Sequence, residues 1–154
     1  MNRMDLIQTW AQAAQLPTGS FNPQSGLCGF RVMDRFDVTI ELPPNADDIF
    51  VFIDLLSSEG GELGKKRINE AMRLNAYATQ TRGAILGWDE DRDMIMLSYR
   101  ISPENMTPEI FGNMVVNLVD TAQLMARELA FDRDALLTQQ SHQHAAKWFE
   151  PVRV

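Results

Sequence analysis

Four carboxylates, Asp89, Glu90, Asp91 and Asp93, fall within five consecutive residues between two apolar runs. Acidic side chains at alternate positions are how a calcium loop presents its oxygen ligands, but such a loop also needs a glycine at position 6 and a bidentate glutamate at position 12. Counted from Asp89, the residues Asp91 and Asp93 fit, whereas position 6 is Met94 and position 12 is Arg100. The pattern fails where the chemistry is strictest, so the stretch reads as a solvated hairpin turn. A general acid and base pair would require one of these carboxyls to be buried, raising its pKa. A hairpin tip offers little burial.

The other chemical candidates are weaker. "GGELGKK", residues 60–66, resembles a phosphate loop, but its glycines are one residue too close and Lys66 stands where a hydroxyl is needed. His142 and His144 are two residues apart, which turns them to different sides of a helix, and no third ligand completes a zinc site. Cys28 has no histidine near it in sequence and reads as a small buried hydrophobe. No cofactor, no metal and no enzymatic activity are expected.

A chain of 154 residues with net charge −7 suits one domain with a real core. Nucleic-acid binding needs clustered Lys and Arg, and the longest basic run, Lys65, Lys66, Arg67, reads as the wet side of a helix. A single cysteine rules out an intrachain disulfide, and neither a membrane span nor a signal peptide is legible. The chain reads as a soluble cytoplasmic protein that contacts no nucleic acid and no membrane.

These residues must be positioned by elements that the hydrophobic periodicity predicts. Ile7, Trp10, Ala11 and Ala14 recur at helical spacing within Met4 to Leu16, and Pro17, Thr18 and Gly19 stop that helix. Gly19 to Gly29 is a loop by composition, its length implying an ordering contact through Phe21. Cys28, Phe30 and Val32, then Phe36, Val38, Ile40 and Leu42, alternate with polar residues as an antiparallel hairpin does. "IFVFIDLL", residues 49–56, is apolar almost throughout and predicts a strand at least partly covered on both faces.

A second helix is expected between Gly61 and Ala84, with Ile68, Ala71, Met72, Asn75, Ala76 and Thr79 along one side and Leu74, Tyr77 and Ala78 widening the apolar arc. So broad an arc predicts a second partner, such as another copy of the chain. The strands around the acidic turn follow, the second carrying Ile95, Leu97, Tyr99 and Ile101 on one face and Met94 and Met96 on the other. Thr107 then caps a helix with Pro108 at its first position and a stripe of Phe111, Met114, Leu118, Ala122, Met125 and Leu129. Of the nine methionines, Met72, Met114 and Met125 read as core fillers, while Met94 and Met96 read equally as core or partner surface. The order is helix, three strands, helix, two strands, helix: an α+β layer with helices covering an antiparallel sheet. Residues 1–131 form the domain, and 132–154 a C-terminal helical extension or tail.

"LNAYATQTRGAILGWDEDRDMIMLSYRI" followed by "FGNMVVNLVDTAQLMARELA" resembles the Tir-chaperone type of type III secretion chaperones. These share a helix ending in L-x-x-N, a T-x-G-x-x-L strand, an acidic turn, a second strand and a closing amphipathic helix. The resemblance spans Met4 to Phe131, with the Pro17 to Gly29 loop and the tail beyond Asp132 as departures. It implies a homodimeric bacterial cytoplasmic chaperone that holds the N-terminal segment of a secreted effector in extended form and export-competent. The secretion ATPase complex is a further candidate partner, and no ATP is implied for the chain itself. Leu6, Ile7, Trp10, Phe30, Val32, Val38 and Ile40 become candidates for the effector groove. Leu74, Asn75, Tyr77, Trp88, Met94 and Met96 become candidates for the dimer seam. The alternative is a dimeric adaptor or regulatory protein-binding module of the same fold, unconnected to secretion.

Overall fold

The structure is a computed structural model that describes residues 1–131 and 150–151. His142, His144, Trp148 and Phe149, and with them most of the expected tail, lie outside the described residues. The elements run α1 (Arg3–Ala13), β1 (Phe21–Asn22), β2 (Leu27–Val32), β3 (Phe36–Glu41), β4 (Ile49–Ser57), α2 (Gly61–Asn75), α3 (Ala78–Thr81), β5 (Ile85–Asp89), β6 (Met94–Ile101), α4 (Pro108–Ala130) and β7 (Glu150–Pro151). All the strand pairs are antiparallel, in the order β1-β2-β3-β4-β6-β5, with β7 also on β2. This is the expected α+β layer, with three short elements added.

One face of the sheet is the core. Phe30, Val38, Ile53, Leu97 and Leu86 lie side by side across five strands and are all buried beneath the helices. The opposite side chains of β4, Phe50 and Phe52, are half-buried and stack on each other with ring centroids 6.4 Å apart. The nearly continuous apolar run thus has one face packed in the core and one face packed chiefly on itself.

The helix α4 begins as its sequence dictates. Thr107 Oγ1 accepts from the Ile110 N–H at 3.2 Å, and Pro108 at the first position gives up an N–H that has no partner there. Its stripe of Phe111, Val115, Leu118, Ala122, Met125 and Leu129 is buried against the sheet. α1 lies beside it, pinned at its start by Arg3, whose guanidinium donates to the carbonyls of Pro43, Ala46 and Asp48. Trp10 fills the junction, 5.6 Å from Phe30 and 5.0 Å edge-on to Phe111. A Cβ at position 112 would lie 3.0 Å from the Trp10 indole nitrogen, so Gly112 is what lets the two helices meet.

Several expectations are corrected. The Gly19 to Gly29 loop contains β1: Phe21 pairs with Cys28, and the Asn22 carboxamide oxygen accepts from Gln24 N–H at 2.9 Å to turn the chain back. The second helix does not run to Thr79. It stops at Asn75, and Tyr77 is extended (φ −129°, ψ 103°) before the single turn of α3. The cause is Asn75, whose amide donates to Leu86 C=O and accepts from Leu86 N–H, both at 2.8 Å, tying the helix end to β5. Met72 is 66% exposed rather than a core filler, whereas Met125 is buried and Met114 partly so.

Arg67 does not share the wet side of α2 with Lys65 and Lys66. It is buried and donates to Leu129 C=O (3.1 Å), Ala130 C=O (3.4 Å) and Ser57 C=O (3.0 Å), with Glu59 as its ion partner at 3.0 Å. A planar cation at a helix C-terminus satisfies carbonyls that have no partner within the helix and complements their partial negative charge. Sequence alone shows a basic run; only the fold brings the end of α4 to it.

Truncating Arg67 to alanine leaves three carbonyls without this donor, and it should lower stability by about 3 kcal/mol. Urea unfolding checks it, and a loss below about 1 kcal/mol would show that water replaces the guanidinium. Trp10→Ala opens a cavity between two helices and the sheet and should cost about 3–5 kcal/mol in the same assay. An unchanged midpoint would return Trp10 to the surface.

Candidate interaction surfaces

The acidic turn has a definite structural task. Asp93 accepts from the Ser57 hydroxyl (2.6 Å), the Ser58 hydroxyl, the Glu59 N–H (3.2 Å) and the Trp88 indole N–H (3.2 Å). One carboxylate thereby binds the end of β4, the entry to α2 and the hairpin together. These donors, the Ser57 and Ser58 hydroxyls first, hold its pKa down to about 2. Asp89 accepts from Arg92 Nε at 2.6 Å, and Arg92 reaches across to Asp54 at 2.8 Å. Hydrogen bonds from Arg92 lower the pKa of Asp89. Carboxylates engaged in this way act as fasteners, not as a proton-transfer pair, which would need one of them raised.

Cys28 is fully buried, and the lack of solvation pushes its thiol up to about 12. The thiolate that a nucleophile requires is suppressed, and the side chain serves as core on β2.

The expected groove residues come together in space, but as core. Leu6, Ile7 and Trp10 from α1 meet Phe30, Val32, Val38 and Ile40 from β2 and β3, and all seven are buried. What this end of the molecule presents outward is the edge of β2. β1 covers that edge at Leu27 and Cys28, and β7 covers it at Phe30 and Arg31.

The expected seam residues divide. Leu74 is buried in the core, and Asn75 spends its amide on Leu86. Met94 and Met96 are half-buried on the sheet face opposite the helices. Tyr77 and Trp88 are exposed, at 73% and 43%, as are Met72 (66%) on α2 and Ile85 (62%) on β5, two elements that the Asn75–Leu86 hydrogen bonds join. Ile85 is the addition that sequence reasoning missed. Its signal is the alternation of β5, where Leu86 faces the core and Ile85 therefore faces away.

Residues 6–125 match the profile of the Tir chaperone protein (CesT) family. The chain belongs to that family. Among solved structures, this CesT-family chain is similar to a chain of the ExsC–ExsE complex, with TM-score 0.64, 19% identity, 84% of this chain covered and 97% of the other. It is similar also to a chain of the HopA1–SchA chaperone–effector complex, with TM-score 0.60 and 15% identity over 80% of this chain and 91% of the other. A third likeness is to a chain of the complex between the Yersinia pestis type III secretion chaperone SycH and a stable fragment of YscM2. There the TM-score is 0.58 and the identity 16%, over 79% and 98% of the two chains. No curated protein matches the sequence significantly. Identities this low establish a shared fold. The family is one of chaperones, and among the described residues no helix is long and apolar enough to cross a membrane.

The Asp93 fastener carries a pH signature. Its carboxyl titrates near 2 when folded and near roughly 4 when unfolded. The stabilisation is therefore complete above about pH 4 and is lost as pH falls through about 2. Asp93→Asn should melt below the parent at pH 7, with the gap closing between pH 4 and pH 2 as the parent's carboxyl is protonated. Asparagine tolerates the left-handed backbone at this position (φ 48°), so the comparison isolates the charge. A gap independent of pH would remove Asp93 from this role.

Proposed function

We infer that this chain is a type III secretion chaperone, acting as a homodimer in the bacterial cytoplasm to hold an N-terminal effector segment extended and competent for export. The observation that carries the reading is family membership across residues 6–125, supported by a fold shared with chains of chaperone–effector complexes. The chemistry agrees with it. An extended guest needs main-chain groups it can pair with at the border of a sheet and apolar support beneath, and the outer side of β2, held only by the two-residue strands β1 and β7, lies over a buried floor of Trp10, Phe30 and Val32. In this reading Leu6, Ile7, Trp10, Phe30, Val32, Val38 and Ile40 act as the floor that holds β2 in place. The guest meets the edge above them.

The second copy of the chain is assigned to the opposite end, around the junction of α2 and β5, where Met72, Tyr77, Ile85 and Trp88 are each exposed and where Met94 and Met96 share the sheet face of Ile85. Leu74 and Asn75 support that seam from beneath by fixing α2 to β5. A dimer that leaves both β2 edges outward can carry one long guest across two copies and pass it to the secretion ATPase complex.

Light scattering at about 10 µM should give twice the 17.5 kDa chain mass. Tyr77→Asp and Ile85→Asp, by placing desolvated charges in the seam, should shift it toward one chain mass with little change in melting. A parent of one chain mass would overturn the dimer. Co-expression with the product of the adjacent reading frame should give a stable complex with its N-terminal region. Failure to capture that region, with the chain itself folded, would count against the chaperone reading.

A further inference from the structure

The two edges of the sheet end differently. At β5, the Asn75 amide takes both main-chain groups of Leu86, so that position cannot pair with another strand. At β2, the outer edge is met by other strands of the same chain, and one of them is β7, from the far end of the sequence, with Phe30 opposite Pro151 and Arg31 opposite Glu150.

The hydrogen-bond directions explain how β7 fits. Leu42 N–H donates to Gly26 C=O on the β3 side, while Gly29 N–H donates to Ser20 C=O on the outer side. Backbone groups alternate along a strand, so Arg31 turns its N–H and C=O outward like Gly29, toward Glu150. Phe30 turns its own toward β3, where Val38 is its partner. Proline has no N–H to give, and Pro151 stands at the one register position where none is asked of it.

We propose that β7 is an internal occupant of the guest edge: the carboxy-terminal strand pairs with Phe30 and Arg31 when no partner is present, and an extended segment of a bound protein displaces it. The proposal rests on the reading of the chain as a chaperone for extended segments and adds a built-in competitor to it. The pairing is suited to exchange. It spans two residues and holds one outward-facing pair of backbone groups, so little pairing is lost when a guest strand takes its place, and a guest that also displaces the two-residue β1 gains a longer ladder. Occupancy by β7 lowers the apparent affinity for every guest in proportion to the open fraction. A covalent tether makes even a short strand effective, because its local concentration reaches the millimolar range. The edge is thereby shielded from indiscriminate pairing with strands of other chains.

The test uses the full chain and Glu150→Pro, which removes the N–H that faces Arg31 and leaves β2 untouched. Hydrogen exchange at the Arg31 amide should become at least roughly tenfold faster in the variant, while the Phe30 amide, turned toward β3, stays protected. A fluorescein-labelled peptide of residues 145–154, AAKWFEPVRV, should bind the variant at least roughly tenfold more tightly than the parent by anisotropy. Equal peptide affinity, or unchanged exchange at Arg31, overturns the proposal. Co-expression with the adjacent reading frame's product separates the two levels. Capture by neither form defeats the chaperone reading, while exchange and peptide binding still decide whether β7 holds the edge. Equal capture affinity in both forms defeats the competition.

Discussion

Burial of one face of α4 against one face of the antiparallel sheet fixes where every other element can lie. The helix has 23 residues, about 34 Å at 1.5 Å per residue, so it crosses the sheet and leaves room beside it for only a short companion. α1 takes that place, and the contact is so close that Trp10 requires a glycine at position 112. At the other end Arg67 binds the last carbonyls of α4 and the carbonyl of Ser57 together. A single guanidinium thus joins α2, α4 and the end of β4. Neither end of α4 can shift without breaking a specific contact.

That arrangement determines what is left for partners. With one sheet face committed to the helices, association is left to the sheet edges, the opposite face and the outer faces and ends of the helices. Asn75 closes the β5 edge at Leu86 with two hydrogen bonds, and beside it Met72, Tyr77, Ile85 and Trp88 are exposed. Side-chain association is available there, strand addition at Leu86 is not. The β2 edge has the opposite character. Its neighbours β1 and β7 are two residues each, and beneath it lies the aromatic cluster of Trp10, Phe30 and Phe111. A rigid floor under a lightly covered edge suits recognition of an extended main chain.

Many contacts were legible before the fold. Alternation along β2, β3 and β6 and the 3.6-residue stripe of α4 placed the core faces correctly, because a strand or helix that buries one side must show that period in its sequence. Thr107 and Pro108 marked the start of α4 for reasons that are local to four residues. The resemblance carried by the L-x-x-N helix end, the acidic turn and the closing helix reached the correct family, because the order and spacing of elements survive where identity falls below a fifth.

What the sequence could not rank was which apolar residues face a partner. Trp10 and Phe30 have the composition of a groove, and packing under α4 makes them core; Met72 has the composition of core, and the turn of α2 leaves it exposed. Arg67 and Asp93 looked like surface charge, since nothing in their own segments shows that a helix end or two serines will arrive from distant positions. The sequence by itself determined the elements, their buried faces and the family, all of which depend on short-range periodicity and order. Tertiary structure alone decided the roles of single polar groups and the fate of each sheet edge, because those depend on which long-range neighbour meets an otherwise unpaired backbone group.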